Sequence, residues 1–390
     1  MMQIEALEIR NFRLLRELRL SGLPRFGALV GVSGSGKSML FDVFAFLREA
    51  MLGDVTAAVA RRGGYRALAA PGMAGEPVEL SLRMRLPPGG QEQVLCYTLR
   101  FEADAGGRPV IVREKLYQEP PADGGGAEFI EVLRERTYAI ACVGADAPDG
   151  AEPRYEEQSL HAPDTLAVAA LGQFRRFAAA SALRAAILGW RVVDLDACAR
   201  PHAAPAEVGA DPASLAQAAG RLHAQQPERF ALAVAALRQR VPGLAAVETE
   251  TGRDGRCTLR FRDAHGEEAF DVQQLAEGTR RLFAWLLLLH EAPPHSLLAL
   301  ETPECRLHPD LLPELADLLR AASLQGTQVL IATHAPALLN ALTLDEILCL
   351  RRDASGVSVT CAGASEDLRA LYEAGEAPGR LWAQGLFEAL

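Results

Sequence analysis

Residues 31–38 read GVSGSGKS and follow directly on the apolar run ALV. Glycines at 31, 34 and 36 let a backbone curl until successive N–H groups point at one anion. Residues 37–49, KSMLFDVFAFLRE, carry apolar side chains at 40, 43, 44 and 47, which is a helical period. Strand, glycine-rich turn and helix in that order form a phosphate loop backed by a helix N-terminus. In it Gly31, Ser33, Gly34, Ser35, Gly36, Lys37 and Ser38 are the candidate phosphate-binding residues. Lys37 is placed to reach the β- and γ-phosphates of a nucleotide, and Ser38 to ligate Mg²⁺.

The lysine is informative because lysine is so scarce. The chain contains only Lys37 and Lys115 among 40 basic residues, and the rest are arginine. A guanidinium fork is wider than an ammonium and does not enter a tight ring of backbone amides. The formal net charge of −10 argues against a surface that binds nucleic acid everywhere, while leaving room for one local arginine-lined face. Seven cysteines are scattered without a CxxC pair, so neither a zinc site nor a disulfide framework is expected. No apolar run reaches the ~18–20 residues of a membrane span, and the N-terminus lacks the pattern of a signal peptide. The expectation is a cytoplasmic protein with reduced thiols and no membrane partner.

The order of apolar runs predicts an α/β fold with a mainly parallel sheet. Residues 1–75 form the first part of its head. Residues 76–160 read as an antiparallel β-arm, with β-like runs separated by PPGG, DAGG and PADGGGA turns. Residues 161–245 read as a helical insertion or lid, rich in Ala and Leu, with a Pro-bearing linker and no sustained heptads. Residues 246–390 return to the head, with a hairpin, a long apolar helix and two buried strands.

Those two strands carry chemistry. In HSLLALETPE four apolar residues end in Glu301, the pattern of a buried strand that brings one acid to the carboxyl edge of a sheet. There it can hold Mg²⁺ together with Ser38, through water. TQVLIATH ends in Thr333 and His334, and a histidine at such an edge can touch a γ-phosphate or a positioned water. LAEGT, residues 275–279, opens a helix whose free N–H groups suit an anion.

These motifs in this order resemble the ABC-type ATPases of the SMC and RecF group. More narrowly the chain is similar to stand-alone bacterial "AAA family" ATPases, cousins of the OLD-family ATPase domain. The likeness runs nearly end to end, through IRNFRLL, GVSGSGKS, RRGGY, GWRVVDLD, LAEGT, ETPECRLHP, ATHAP and GRLWAQGLF. It implies a P-loop NTPase head of ABC/SMC type that binds ATP and Mg²⁺ and closes as an ATP-dependent homodimer. ATP on the phosphate loop of one subunit would be capped in trans by Leu275, Glu277, Gly278 and Thr279 of the other. Asn11 and Arg13 lie where such proteins approach the nucleotide. Arg61 or Arg62 either reaches phosphate or belongs to a solvated basic turn. DNA or an effector protein such as a nuclease is the partner class implied, since the residues after His334 are too few for an appended nuclease domain.

One position departs from the pattern. The resemblance implies a catalytic glutamate directly after the Walker B acid, and this chain has Thr302 there, in Glu301-Thr302-Pro303-Glu304. A threonine hydroxyl can orient water but cannot act as a general base at neutral pH. Glu304 is three residues beyond Glu301, past a proline, and needs an unusual backbone path to take over. Ala276 in place of the usual signature serine is a second, milder loss. The sequence therefore predicts ATP binding with slow or absent hydrolysis, leaving Glu301, Thr302 and His334 as the catalytic candidates. The alternative is a competent ATPase that converts ATP to ADP and phosphate and powers a DNA-processing or effector complex.

Overall fold

The computed structural model describes residues 2–86, 93–119, 129–135, 138–143, 154–160, 162–195, 208–252, 255–266, 268–291, 294–353 and 356–389. The expected turns PPGG and PADGGGA, and much of the Pro-bearing linker, lie outside these residues.

A six-stranded sheet carries the site. Its order is β10 (Trp190–Asp194), β14 (Leu297–Glu301), β15 (Gln328–Ala332), β3 (Phe26–Val30), β16 (Ile347–Arg352) and β17 (Val357–Cys361). The first five strands are parallel and β17 closes the edge as a hairpin with β16. Side chains alternate across it with period two. Leu29, Leu297, Ala299, Leu330, Ala332, Leu348 and Leu350 enter one core. Ala28, Val30, Leu298, Leu300, Val329, Ile331, Ile347 and Cys349 enter the other. A strand buried on both faces has no polar alternation, which is why these runs read as unbroken apolar sequence.

The first core lies between this sheet and a second one. Eight antiparallel strands run β2 (Leu15–Ser21), β1 (Gln3–Phe12), β4 (Val78–Leu86), β5 (Gln93–Ala103), β6 (Pro109–Gln118), β7 (Phe129–Glu135), β8 (Tyr138–Val143) and β9 (Arg154–Ser159). Strands expected as a separate arm thus continue the sheet that β1 begins, because β1 pairs with β4 over Gln3–Arg10. Helix α1 (Lys37–Leu52) is held between the sheets. Phe46 packs on Phe12 and Phe101 at ring-centroid distances of 5.7 and 5.4 Å, and Phe44 meets Trp190 at 5.4 Å. The stripe expected at 40, 43, 44 and 47 is therefore joined by buried Phe41, Phe46, Ala50 and Met51, since the helix has core on more than one side. Each such large side chain is worth about 1.5–3 kcal/mol when fully buried. Short helices α2 (Val55–Ala60), α3 (Tyr65–Leu68) and α4 (Ala167–Leu171), with α5 (Ala178–Leu188), complete this side.

The second core is covered by α6 (Pro212–Gln225), α7 (Pro227–Arg240), α8 (Glu277–His290) and α9 (Leu312–Leu324). A small sheet of β11 (Leu244–Thr251), β12 (Cys257–Asp263) and β13 (Ala269–Asp271) packs there too, as do α10 (Pro336–Leu339), α11 (Glu366–Glu373) and α12 (Pro378–Ala383). The segment expected as one helical insertion is divided between the cores. Phe177, Leu183 and Ile187 belong to the first, Leu215, Leu222 and Leu237 to the second, and β10 between them is a strand of the main sheet. No helix among the described residues is long and apolar enough to cross a membrane.

Gln328 locks the two sheets together at their far end. Its buried amide donates to the carbonyls of Ile4 and Pro24, both at 3.0 Å, and accepts from the Ile4 N–H at 2.7 Å.

Candidate functional site

Register brings the chemistry to one edge. Glu301 is opposite Ala332, and Ala332 is opposite Leu29, so the residues that follow β14, β15 and β3 emerge side by side. The Thr333 N–H also donates to Leu29 O at 3.2 Å. This is the carboxyl edge of a parallel sheet, where ligands of such folds sit.

The phosphate loop has the backbone its sequence requires. Gly34 and Gly36 lie at φ of 83° and 111°. At Gly31, φ is 154° and an added Cβ would come within 2.4 Å of Leu350 O. Gly36 leads into α1 without a side-chain cap, so the first helical N–H groups are offered to the loop. Lys37 Nζ donates to Gly31 O at 2.7 Å, Val32 O at 3.2 Å and Ser35 Oγ at 3.3 Å. The ammonium therefore lies inside the curl of the loop, and burial pulls its pKa below the ordinary lysine value.

Ser38 Oγ donates to Glu301 Oε2 at 2.9 Å, across 263 residues of sequence. Two hard oxygen donors at that separation suit Mg²⁺, whose octahedral bonds of about 2.0–2.1 Å put neighbouring ligands about 2.9 Å apart. The donor set fits, and when bound the ion would supply charge neutralisation at phosphate oxygens. His334 is close enough to Lys37 to feel it. Partial burial first, and then the Lys37 charge, hold the imidazole below its ordinary pKa of 6.5. Asp194, at the end of β10, is in register with Glu301. Only the pairing of strands remote in sequence identifies it as a neighbour of the site.

The turn after β14 has an unusual path. Thr302 has φ of 42°, in the left-handed region that a β-branched residue rarely occupies. Its N–H donates to Ala332 O at 2.9 Å, and its carbonyl accepts from Cys305 N–H at 3.0 Å. The turn returns Glu304 to the end of β15. There Glu304 Oε1 accepts from Thr333 Oγ1 at 2.6 Å and from the His334 N–H at 3.3 Å. Glu304 is thereby bonded to the two residues that follow β15.

The signature turn is anchored to the same region. Ala276 is the N-cap of α8 and gives no side-chain cap, so the helix N–H groups around Glu277, Gly278 and Thr279 are open. Glu277 is ion-paired with Arg306 and, at 3.5 Å, with Arg281. A Cβ on Gly278 would meet Arg306 O at 3.0 Å. Leu275 is buried in the second core. Among the described residues, Glu277 pairs with its own helix and with the turn after β14, not with the phosphate loop.

Asn11, expected where the nucleotide is approached, is engaged within the fold. It is buried, and its amide donates to Met73 O at 2.9 Å and Glu76 O at 2.7 Å while accepting from the Ala70 N–H at 2.8 Å. Arg13 is paired at 3.0 Å with Asp42 on α1. Arg62 is buried rather than solvated. Its side chain is 5% exposed and bridges Asp42 at 2.8 Å and Glu49 at 2.7 Å. Arg61 is the more exposed of the pair and lies 3.5 Å from Glu49.

Residues 26–340 match the family described as "AAA domain, putative AbiEii toxin, Type IV TA system". The chain belongs to this AAA-domain family. Its fold is that of SMC heads. It is similar to the SMC head bound to the C-terminal winged-helix domain of ScpA, with a TM-score of 0.52 and 14% identity. That match covers 92% of this chain and 97% of the other. It is also similar to the Pyrococcus furiosus Smc head with an extended coiled coil, bound to the C-terminal domain of ScpA. There the TM-score is 0.53 at 13% identity, covering 96% and 100% of the two chains. No curated protein matches the sequence.

Proposed function

We propose that this AAA-family chain is a cytoplasmic, nucleotide-gated switch that binds Mg·ATP on residues 31–38 and closes as an ATP-sandwiched homodimer. The observation that carries the reading is the Ser38–Glu301 bond, which sets a loop with Lys37 at its centre against a carboxylate suited to Mg²⁺. In the dimer Leu275, Glu277, Gly278 and Thr279 of one subunit cap the nucleotide of the other. The uncapped start of α8 supports this, because its N–H groups and dipole favour an anion. Thr302 makes hydrolysis the slow, resetting step of the cycle. The SMC heads of similar fold are bound to ScpA domains, which supports a partner protein here as well. The partner class is an effector in DNA maintenance or phage defence.

Size measurement by light scattering tests the switch. The wild type is expected to be larger with ATP and Mg²⁺ than without, and Lys37→Ala to stay at the smaller size in both. A size that ignores ATP would sink the dimer.

A second reading, a competent ATPase that drives its partner, is favoured by the carboxylate of Glu304 beside Thr333. Thr302→Glu separates the two. Marked acceleration of turnover identifies the wild type as a switch that lacks a base, and an unchanged rate identifies a base elsewhere.

A further inference from the structure

We propose that Glu304 is the catalytic carboxylate that holds the attacking water in ATP hydrolysis, in the role that position 302 cannot fill. The inference rests on ATP binding at the phosphate loop, which both functional readings share.

Three observations carry it. The first is the path. Thr302 at φ of 42° reverses the chain after Glu301, and the Cys305 N–H to Thr302 O bond of 3.0 Å closes the turn. Pro303 O is held by the indole N–H of Trp285 at 3.1 Å, so the turn is fixed from the signature helix. The strained backbone at a β-branched residue is kept because the surrounding contacts over-determine it.

The second is the aim. Thr333 Oγ1 and the His334 N–H both donate to Glu304 Oε1, which fixes the orientation of the carboxylate. Thr333 is tied by its own N–H to Leu29, two residues before Gly31. The carboxylate therefore lies by the residues that follow β15, at the sheet edge from which the phosphate loop springs.

The third is the other oxygen. Glu304 Oε2 is buried and has no hydrogen-bond donor from the described protein groups. A buried carboxylate oxygen left without a donor costs stability, and this one is open to a further donor. A water between Oε2 and the γ-phosphate supplies that donor. Phosphoryl transfer passes through a loose transition state in which positioning matters more than basicity. A carboxylate whose oxygen Oε1 is pinned by two donors meets that need. The Thr302 hydroxyl, with one proton to give and no basicity at neutral pH, does not.

The step balances without a co-reactant. The water oxygen forms a bond to the γ-phosphorus, and the bond from that phosphorus to the β–γ bridging oxygen breaks. The bridging oxygen leaves with the electron pair as part of ADP. A water proton passes to Oε2 and from there to the released phosphate, which returns Glu304 to its anionic form. Nothing is oxidised or reduced.

The test uses the full chain as wild type, Glu304→Gln, Glu304→Asp and Lys37→Ala. Single-turnover hydrolysis, ATP affinity by calorimetry and the nucleotide retained after gel filtration are measured on each. Glutamine keeps an oxygen for Thr333 but cannot take a proton. Glu304→Gln is expected to bind ATP as the wild type does, to hydrolyse it about 10²–10⁴-fold more slowly, and to retain ATP where the wild type retains ADP. Glu304→Asp, which keeps the charge but draws it back, is expected to lose at least about tenfold at unchanged affinity. It serves as the test if the glutamine variant does not fold. Hydrolysis by Glu304→Gln at the wild-type rate overturns the inference and leaves ATP binding intact. So does a wild type that binds ATP and never cleaves it. A wild type that binds ATP no better than Lys37→Ala overturns the functional reading as well.

Discussion

The indole N–H of Trp285 donates to the carbonyl of Pro303 at 3.1 Å, joining the helix that begins at the signature turn to the turn that follows Glu301. Both groups are buried, and the neighbouring Glu277–Arg306 pair spans the same two elements. A cap on one nucleotide and the Walker B edge of another would therefore move as one piece. Trp285→Phe keeps most of the ring and removes the donor. We expect a loss of about 1–3 kcal/mol in denaturant unfolding, because Pro303 O is left without its buried partner. Weaker ATP-dependent dimerisation is expected alongside. Unchanged stability would show that the bond does not hold the turn.

Asn11→Ala is expected to destabilise the protein by about 2–3 kcal/mol, since the Ala70 N–H and the Met73 and Glu76 carbonyls lose their shared partner. Asn11→Gly, which suits the φ of 60°, should lose less. ATP affinity by calorimetry should be the same in all three proteins. A selective loss of ATP affinity would return Asn11 to the nucleotide.

Arg62→Met should cost about 3–5 kcal/mol, because Asp42 and Glu49 keep their partly buried charges and lose the guanidinium between them. Burial alone would pull the Arg62 pKa down, but the two carboxylates outweigh it and raise it. The deficit should persist in high salt, since buried pairs are poorly screened. A deficit that disappears in salt would make the pair a surface interaction.

His334 sets a pH limit. Its folded pKa is depressed, so the imidazole is neutral at pH 7 and takes up its proton only below 6.5. Whatever depends on the neutral ring is intact above 6.5 and is lost as pH falls through the folded pKa. For kcat/KM, which reports the free enzyme, we expect an acid limb below pH 6.5. His334→Gln should flatten that limb. An identical limb in the glutamine variant would assign it to another group.

Much of the head was legible in the sequence because its signals are local. The phosphate loop, the acid at the end of β14 and the histidine after β15 each sit in a short run whose periodicity or glycine content states its conformation. What was not legible depends on register between distant strands. The arm reads as separate because nothing local says that β4 pairs with β1. Asp194 looks like an ordinary strand-end acid until β10 is seen beside β14. Arg62 looks solvated because its partners lie 13 and 20 residues earlier, on α1. Glu304, three residues past Glu301 and beyond a proline, needs an unusual backbone path, and nothing local in the sequence announces the left-handed φ at Thr302.

The position of β3 has a further consequence, in the order of synthesis. β3 and the phosphate loop are made early, yet the two strands that flank β3 are β15 and β16, completed only at Ala332 and Arg352. Glu301 and His334 also arrive late. A nascent chain carries every atom of the phosphate loop for some three hundred residues before it has a sheet to hang it on. ATP that binds only the assembled edge would then stabilise the pairing of β3 with β15 and β16 rather than the loop alone.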